Sequence, residues 1–127
     1  MAKVLIIEDD AVLAEMYEAK FKHEGHEVKT VLSGEQALKA LNDYQPELIL
    51  LDILMPKLNG FHVLKEIKKN QAARYTPIIL LTNLEQSELA MDEEMARAIG
   101  VSDYLVKGQH TPDEVVARVI KHLKPKK

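Results

Sequence analysis

Three short, unbroken apolar runs limit most strongly what this chain can fold into: residues 4–7 (VLII), 48–51 (LILL) and 78–81 (IILL). A strand with one wetted face must alternate apolar with polar residues. Continuous runs of branched side chains at this length are strands covered on both faces, as in a parallel sheet. Two weaker strand candidates sit at residues 27–31 and 103–106. Between the strands the apolar period becomes helical. Val12, Leu13, Met16 and Phe21 make one stripe, and Ala37, Leu38 and Leu41 a second. Leu64 and Ile67, after Gly60, mark a third, and Met91, Met95, Ala98 and Ile99, closed by Gly100, a fourth. Val115, Val116, Val119 and Ile120 mark a fifth. Ser33 with Gln36, and Thr111-Pro112-Asp113-Glu114, are the capping signals that open the second and fifth helices.

Strands alternating with helices in this way predict an α/β fold: five parallel strands and five helices, with right-handed crossovers placing helices on both faces. A length of 127 residues suits one domain. That domain is expected over residues 1–124, with 125–127 as a C-terminal tail. The absence of cysteine excludes a disulfide framework, a thiolate metal site and a cysteine nucleophile. The net charge of −3 gives no footprint for nucleic acid or membrane, and the lysines near the C-terminus read as a solvated end. No apolar run approaches the roughly 20 residues of a membrane span. The first residues lack the basic start of a signal peptide, so a cytoplasmic protein is expected.

In an open parallel sheet, ligands bind beyond the carboxyl ends of the strands, and that rule selects the residues to inspect. Glu8, Asp9 and Asp10 follow the first run, Asp52 the third strand, Thr82 and Asn83 the fourth, and Lys107 the fifth. Crowded carboxylates repel one another and call for a cation. A hard ion such as Mg²⁺ suits oxygen ligands. A metal beside an aspartate nucleophile, with an ammonium and a hydroxyl opposite, is the equipment of phosphoryl transfer. Taken singly, each residue also has a plain role: Asp10 as a helix cap, Thr82 as a loop threonine, Lys107 as a surface lysine. Their arrival at successive strand ends is what joins them.

With those positions read, the chain resembles the receiver domains of two-component response regulators over almost its whole length. Residues 4–10 (VLIIEDD) are similar to the family's first strand and acidic pair, and residues 52–60 (DILMPKLNG) to its phosphoacceptor segment. Residues 77–82 (PIILLT) resemble its fourth strand and switch hydroxyl, and 100–107 (GVSDYLVK) its fifth strand, switch aromatic and lysine. The resemblance implies a flavodoxin-like, doubly wound sheet of strand order 2-1-3-4-5. It implies that Asp52 accepts a phosphoryl group from a histidine kinase, a phosphotransfer protein or a small phosphodonor. Asp9, Asp52 and the backbone carbonyl of Leu54 would ligate Mg²⁺, with Glu8 acting through a bound water. Lys107 would pair with the phosphoryl group, and Thr82 and Tyr104 would be the switch residues. The fourth helix, fifth strand and fifth helix would form the readout face for a downstream protein. Kinase specificity would lie near Val12, Leu13, Glu15 and Met16. Such a chain is a signalling switch that promotes only its own phosphotransfer and dephosphorylation, and no direct contact with nucleic acid or membrane is expected.

The sequence departs from the family pattern in four places. Gly108 follows Lys107, where the family carries proline after a cis bond. A cis bond before a non-proline residue costs about 3–4 kcal/mol, so trans is expected here. Asn83 stands where the family has a small residue and is expected to cap the next helix through Gln86. The segment from Thr82 to Tyr104 is longer than usual, within the expected readout face. Leu54 and Leu84 occupy the positions that commonly orient water at the phosphoryl group, so slow self-dephosphorylation is expected. Three other classes fit the residues less well. An aspartate-nucleophile phosphatase wants an acid two residues after the nucleophile, where this chain has Leu54. A degenerate receiver, binding without phosphorylation, rests on Asn83 and Gly108. A nucleotide cradle would need glycines where Glu8 to Asp10 stand. His23 and His26, three apart, read as solvated surface rather than metal ligands.

Overall fold

The computed structural model describes residues 2–52, 60–71, 73, 75–82, 103–106 and 110–123. The unbroken runs are strands, as their composition requires: β1 (Lys3–Ile7), β3 (Leu48–Asp52) and β4 (Ile78–Thr82). The two weaker segments are β2 (Glu27–Val31) and β5 (Asp103–Val106). All pairings are parallel, and the sheet order is β2-β1-β3-β4-β5. The outer position of β2 explains its mixed sequence: its burial alternates, while β3 is buried at every residue.

Successive residues of the central strands feed two cores on opposite faces of the sheet. Leu5, Ile7, Ile49 and Leu51 pack with helices α2 (Gly34–Ala40) and α3 (Gly60–Lys69), through Ala37, Val63, Leu64 and Ile67. Val4, Ile6, Leu48 and Leu50 pack with α1 (Ala11–His23) and the C-terminal helix (Pro112–Leu123), through Tyr17, Phe21, Val115 and Val119. These are four helices among the described residues. The fourth helical pattern, ending at Gly100, lies outside them.

The helix ends follow local chemistry. Ser33 Oγ accepts from the Gln36 amide at 3.1 Å while the Gln36 side chain accepts from the Leu32 amide at 2.9 Å. Thr111 and Glu114 form the full reciprocal capping box at 3.2 and 2.8 Å, whereas Gln36 reaches the amide of the residue before its cap rather than that of Ser33. α1 ends on Gly25 at φ +88°, with the Gly25 amide donating to the Lys22 carbonyl and the His26 amide to that of Phe21. A side chain is strained at that φ, which is why glycine stands there.

One expectation is corrected. Of the expected stripe Phe21 is buried and Leu13 packs against the core, but Ala14 and Tyr17 complete the buried face in place of Val12 and Met16. Those two are 70 % and 43 % exposed. Tyr17 was not among the residues expected in the core, yet its ring is buried there, and the inward face lies about a quarter turn from the expected stripe.

Candidate functional site

β1 and β3 are neighbours, with Ile7 opposite Leu51. Whatever follows these two residues is therefore delivered side by side. Glu8 and Asp52 follow them directly, and they are the two buried charged residues among those described, at 1 % and 2 % exposure. Asp9 stands at the surface beside them. One carboxylate oxygen from each of Glu8, Asp9 and Asp52 can be chosen so that all three lie within 4.8 Å of one another.

Local hydrogen bonds fix this turn. The Glu8 amide donates to the Val31 carbonyl at 3.1 Å, which prolongs the β1–β2 pairing by one residue. The Asp10 amide donates to Glu8 Oε2 at 3.1 Å, holding the buried carboxylate in place. Asp10 is the N-cap of α1, its Oδ1 accepting from the Leu13 amide at 3.1 Å, as its plain reading required. It is thereby occupied with the helix and does not join the three-carboxylate cluster.

Tyr17 reports the field around the cluster. Its phenol is pushed well above the ordinary range, first by burial and then by the negative charge of Glu8, Asp52 and Asp10. Nothing in the sequence reading pointed to Tyr17. The available signal was a phenol at a helix position whose neighbours in the core period, Ala14 and Phe21, are apolar.

Three carboxylates at this spacing, two of them out of water, repel strongly unless a cation joins them. Oxygen-only donors on one edge, with an open exposed side at Asp9, match a hard divalent ion such as Mg²⁺, which retains several waters and takes few protein ligands. The donor set therefore fits the expected metal. On the next strand, Asp52 is opposite Leu81, and Thr82 at the end of β4 is opposite Val106 at the end of β5. The backbone thus brings Thr82 to the same edge, one row beyond Asp52. Tyr104 lies opposite Leu80, two residues back along the strand. The side chains of Thr82 and Tyr104, and all of Lys107, Leu54, Asn83, Leu84 and Gly108, lie outside the described residues, as does the Lys107–Gly108 bond. Among the described residues no helix is long and apolar enough to cross a membrane.

The family model of the response regulator receiver domain matches residues 4–120. A probable transcriptional regulator, ycf27, of Guillardia theta is 37 % identical over 117 residues, covering 92 % of this chain and 43 % of that protein. The alkaline phosphatase synthesis transcriptional regulatory protein PhoP of Bacillus subtilis is 32 % identical, covering 92 % and 46 %. The chain thus spans less than half the length of these curated relatives. Among solved structures, chemotaxis protein CheY4 of Vibrio cholerae superposes with a TM-score of 0.84 at 27 % identity, covering 95 % of this chain and 98 % of that one. The receiver domain of a sensor histidine kinase of Pseudomonas aeruginosa, solved with a magnesium ion coordinated in its active-site cleft, has a TM-score of 0.78 at 30 % identity, covering 95 % of each.

Proposed function

This chain belongs to the response regulator receiver domain family, and from that premise we propose that it is a signalling switch set by phosphorylation of Asp52. The observation that carries this reading is the cluster itself: Glu8 and Asp9 from the end of β1 and Asp52 from the end of β3, with carboxylate oxygens within 4.8 Å. Glu8, Asp9 and Asp52, with the Leu54 carbonyl, would hold Mg²⁺. Bound there, the cation supplies counter-charge for the carboxylates and for the oxygens of an incoming phosphoryl group. An Asp52 carboxylate oxygen forms the new bond to phosphorus as the donor's bond to phosphorus breaks. The donor is a phosphohistidine of a kinase or phosphotransfer protein, or a small acyl phosphate. Lys107 and Thr82 neutralise and hydrogen-bond the phosphoryl oxygens.

The modification adds about −1.5 to −2 charge and strong acceptor oxygens. Those oxygens draw on Thr82 and Lys107, and the loops that carry them shift an existing equilibrium, with Tyr104 following. The readout face then comprises the segment after Thr82, β5 and the C-terminal helix. The receiver unit is taken as residues 1–124 with a tail at 125–127, working in the cytoplasm. Its own partners on this reading are proteins, without direct contact to nucleic acid or membrane. Transcriptional regulation by the longer relatives belongs to those proteins.

Incubation with acetyl phosphate, with and without Mg²⁺, tests this by intact mass. A Mg²⁺-dependent adduct on the wild type that is absent from Asp52→Asn is expected. The adduct is expected to be long-lived, and Leu54→Asn to shorten its life. No adduct under any condition would favour a module that binds without phosphorylation.

A further inference from the structure

The outer face of α1 is left over by the fold. Ala14, Tyr17 and Phe21 point into the core. On the opposite side of the helix, Val12, Met16, Ala19 and His23 are all exposed. Their spacing of four, three and four residues makes one narrow seam of the kind that meets another helix lengthwise. A single exposed valine is ordinary surface, but a continuous seam is not.

The seam is graded from end to end. Its first half offers large apolar side chains, Val12 and Met16. Its second half offers small Ala19 and opens into a groove of about 750 Å³ between α1 and the C-terminal helix, floored by Val116, Ala117 and Ile120. Charge is graded in the same direction. Glu15 flanks the first half, and Lys22, on the same flank, the second, and both are exposed. Lys22 lies 3.3 Å from Glu18 with 60 % of its side chain in solvent, so it is available to a second carboxylate.

We propose that α1 pairs antiparallel with α1 of a second copy of this chain across a two-fold axis. In that pairing Met16 of each copy faces Ala19 of the other, and Val12 faces His23 at the mouth of the groove. At the central layers a large side chain meets a small one. Glu15 of each copy faces Lys22 of the other, an ion pair that the symmetry makes twice. A parallel pairing would instead set Met16 against Met16 and Ala19 against Ala19, so the size gradient selects the antiparallel one. The helix has 13 residues, fewer than four turns, so the pair is weak, with a dissociation constant on the order of 0.1–1 mM. Val12 lies just beyond Asp9 and Asp10, so pairing also covers the α1 side of the carboxylate cluster. A donor protein that docks on the first helix must therefore separate the copies. The association itself does not depend on phosphoryl transfer.

Sedimentation of the full chain without a phosphodonor, from about 10 μM to about 1 mM, tests this. Concentration-dependent association is expected. Glu15→Lys alone or Lys22→Glu alone should weaken it roughly tenfold, because each sets two like-charge pairs in the seam. The double exchange Glu15→Lys with Lys22→Glu should restore it, with circular dichroism confirming that each variant is folded. A monomer at every concentration would overturn the proposal. So would association that the single exchanges leave unchanged, or a double exchange that fails to restore it.

Discussion

At the N-terminal edge of the sheet, charges are matched. Asp103, the first residue of β5, accepts from Arg118 at 2.8 Å and lies 3.0 Å from His122. Lys3, the first residue of β1, has its ammonium 5.9 Å from the centre of the Tyr44 ring, and Glu47 accepts from its amide at 3.3 Å. At the C-terminal edge of the same strands, the described residues bring three acids together, Glu8, Asp9 and Asp52. An edge that only ends strands can neutralise itself. An edge that keeps like charges together, two of them buried, gives up stability for a ligand, which is where local rules are expected to break.

The largest test concerns what the two edges share. Leu50 is 1 % exposed in the middle of β3, within the core shared by α1 and the C-terminal helix. Leu50→Ala should cost about 2–5 kcal/mol in denaturant unfolding. A loss below about 1 kcal/mol would mean that the sheet is not the common support of both edges.

Caps sharpen the contrast at a smaller scale. Thr111→Ala, away from the acidic cluster, should cost about 1 kcal/mol. Asp10→Ala removes a cap of the same kind, but it also removes a negative charge beside Glu8, Asp9 and Asp52. Its net cost should be about half as large or less. Equal costs, measured by denaturant unfolding, would argue that the two edges do not differ electrostatically.

The smallest effect lies in alkaline titration. Tyr44 is pushed up to about 12, by burial and then by Glu27, and Tyr17 is raised further, by burial and then by the acidic cluster. Both phenols hold their protons more tightly folded than unfolded. Their contribution to stability is therefore whole below about pH 10 and is lost as pH rises through the folded values. Ultraviolet titration should show the two ionising late. Asp52→Asn should lower the Tyr17 transition only slightly, because burial is its first cause. A large drop would mean that the cluster's charge reaches further into the core than its order among the causes implies.

The sheet was legible because residues 4–7, 48–51 and 78–81, the bulk of β1, β3 and β4, are buried and contain no polar residue to confuse the pattern. The strand-end rule then led to Glu8, Asp9 and Asp52 without reference to side-chain packing. Capping at Ser33, Thr111 and Asp10 was legible for a different reason: it is settled within four residues of chain. The burial of α1 was not legible. Hydropathy counts Val12 and Met16 as core and discounts Tyr17, whereas the phenol's ring is buried in the core that Val4, Ile6, Leu48 and Leu50 build on that face of the sheet. Which face of a helix turns inward depends on such contacts, and a stripe of apolar residues can equally be a surface for another molecule.

The account rests on one claim, that Glu8, Asp9 and Asp52 form a cation site whose mutual repulsion a divalent ion relieves. Thermal or denaturant unfolding of the wild type and Asp52→Asn, each with and without Mg²⁺, measures that most directly. Without Mg²⁺, Asp52→Asn should be the more stable protein by about 1–2 kcal/mol, because a buried like charge has been removed. Adding Mg²⁺ should stabilise the wild type and leave the variant nearly unchanged. A wild type no less stable than Asp52→Asn in the absence of Mg²⁺, and indifferent to the cation, would contradict the account.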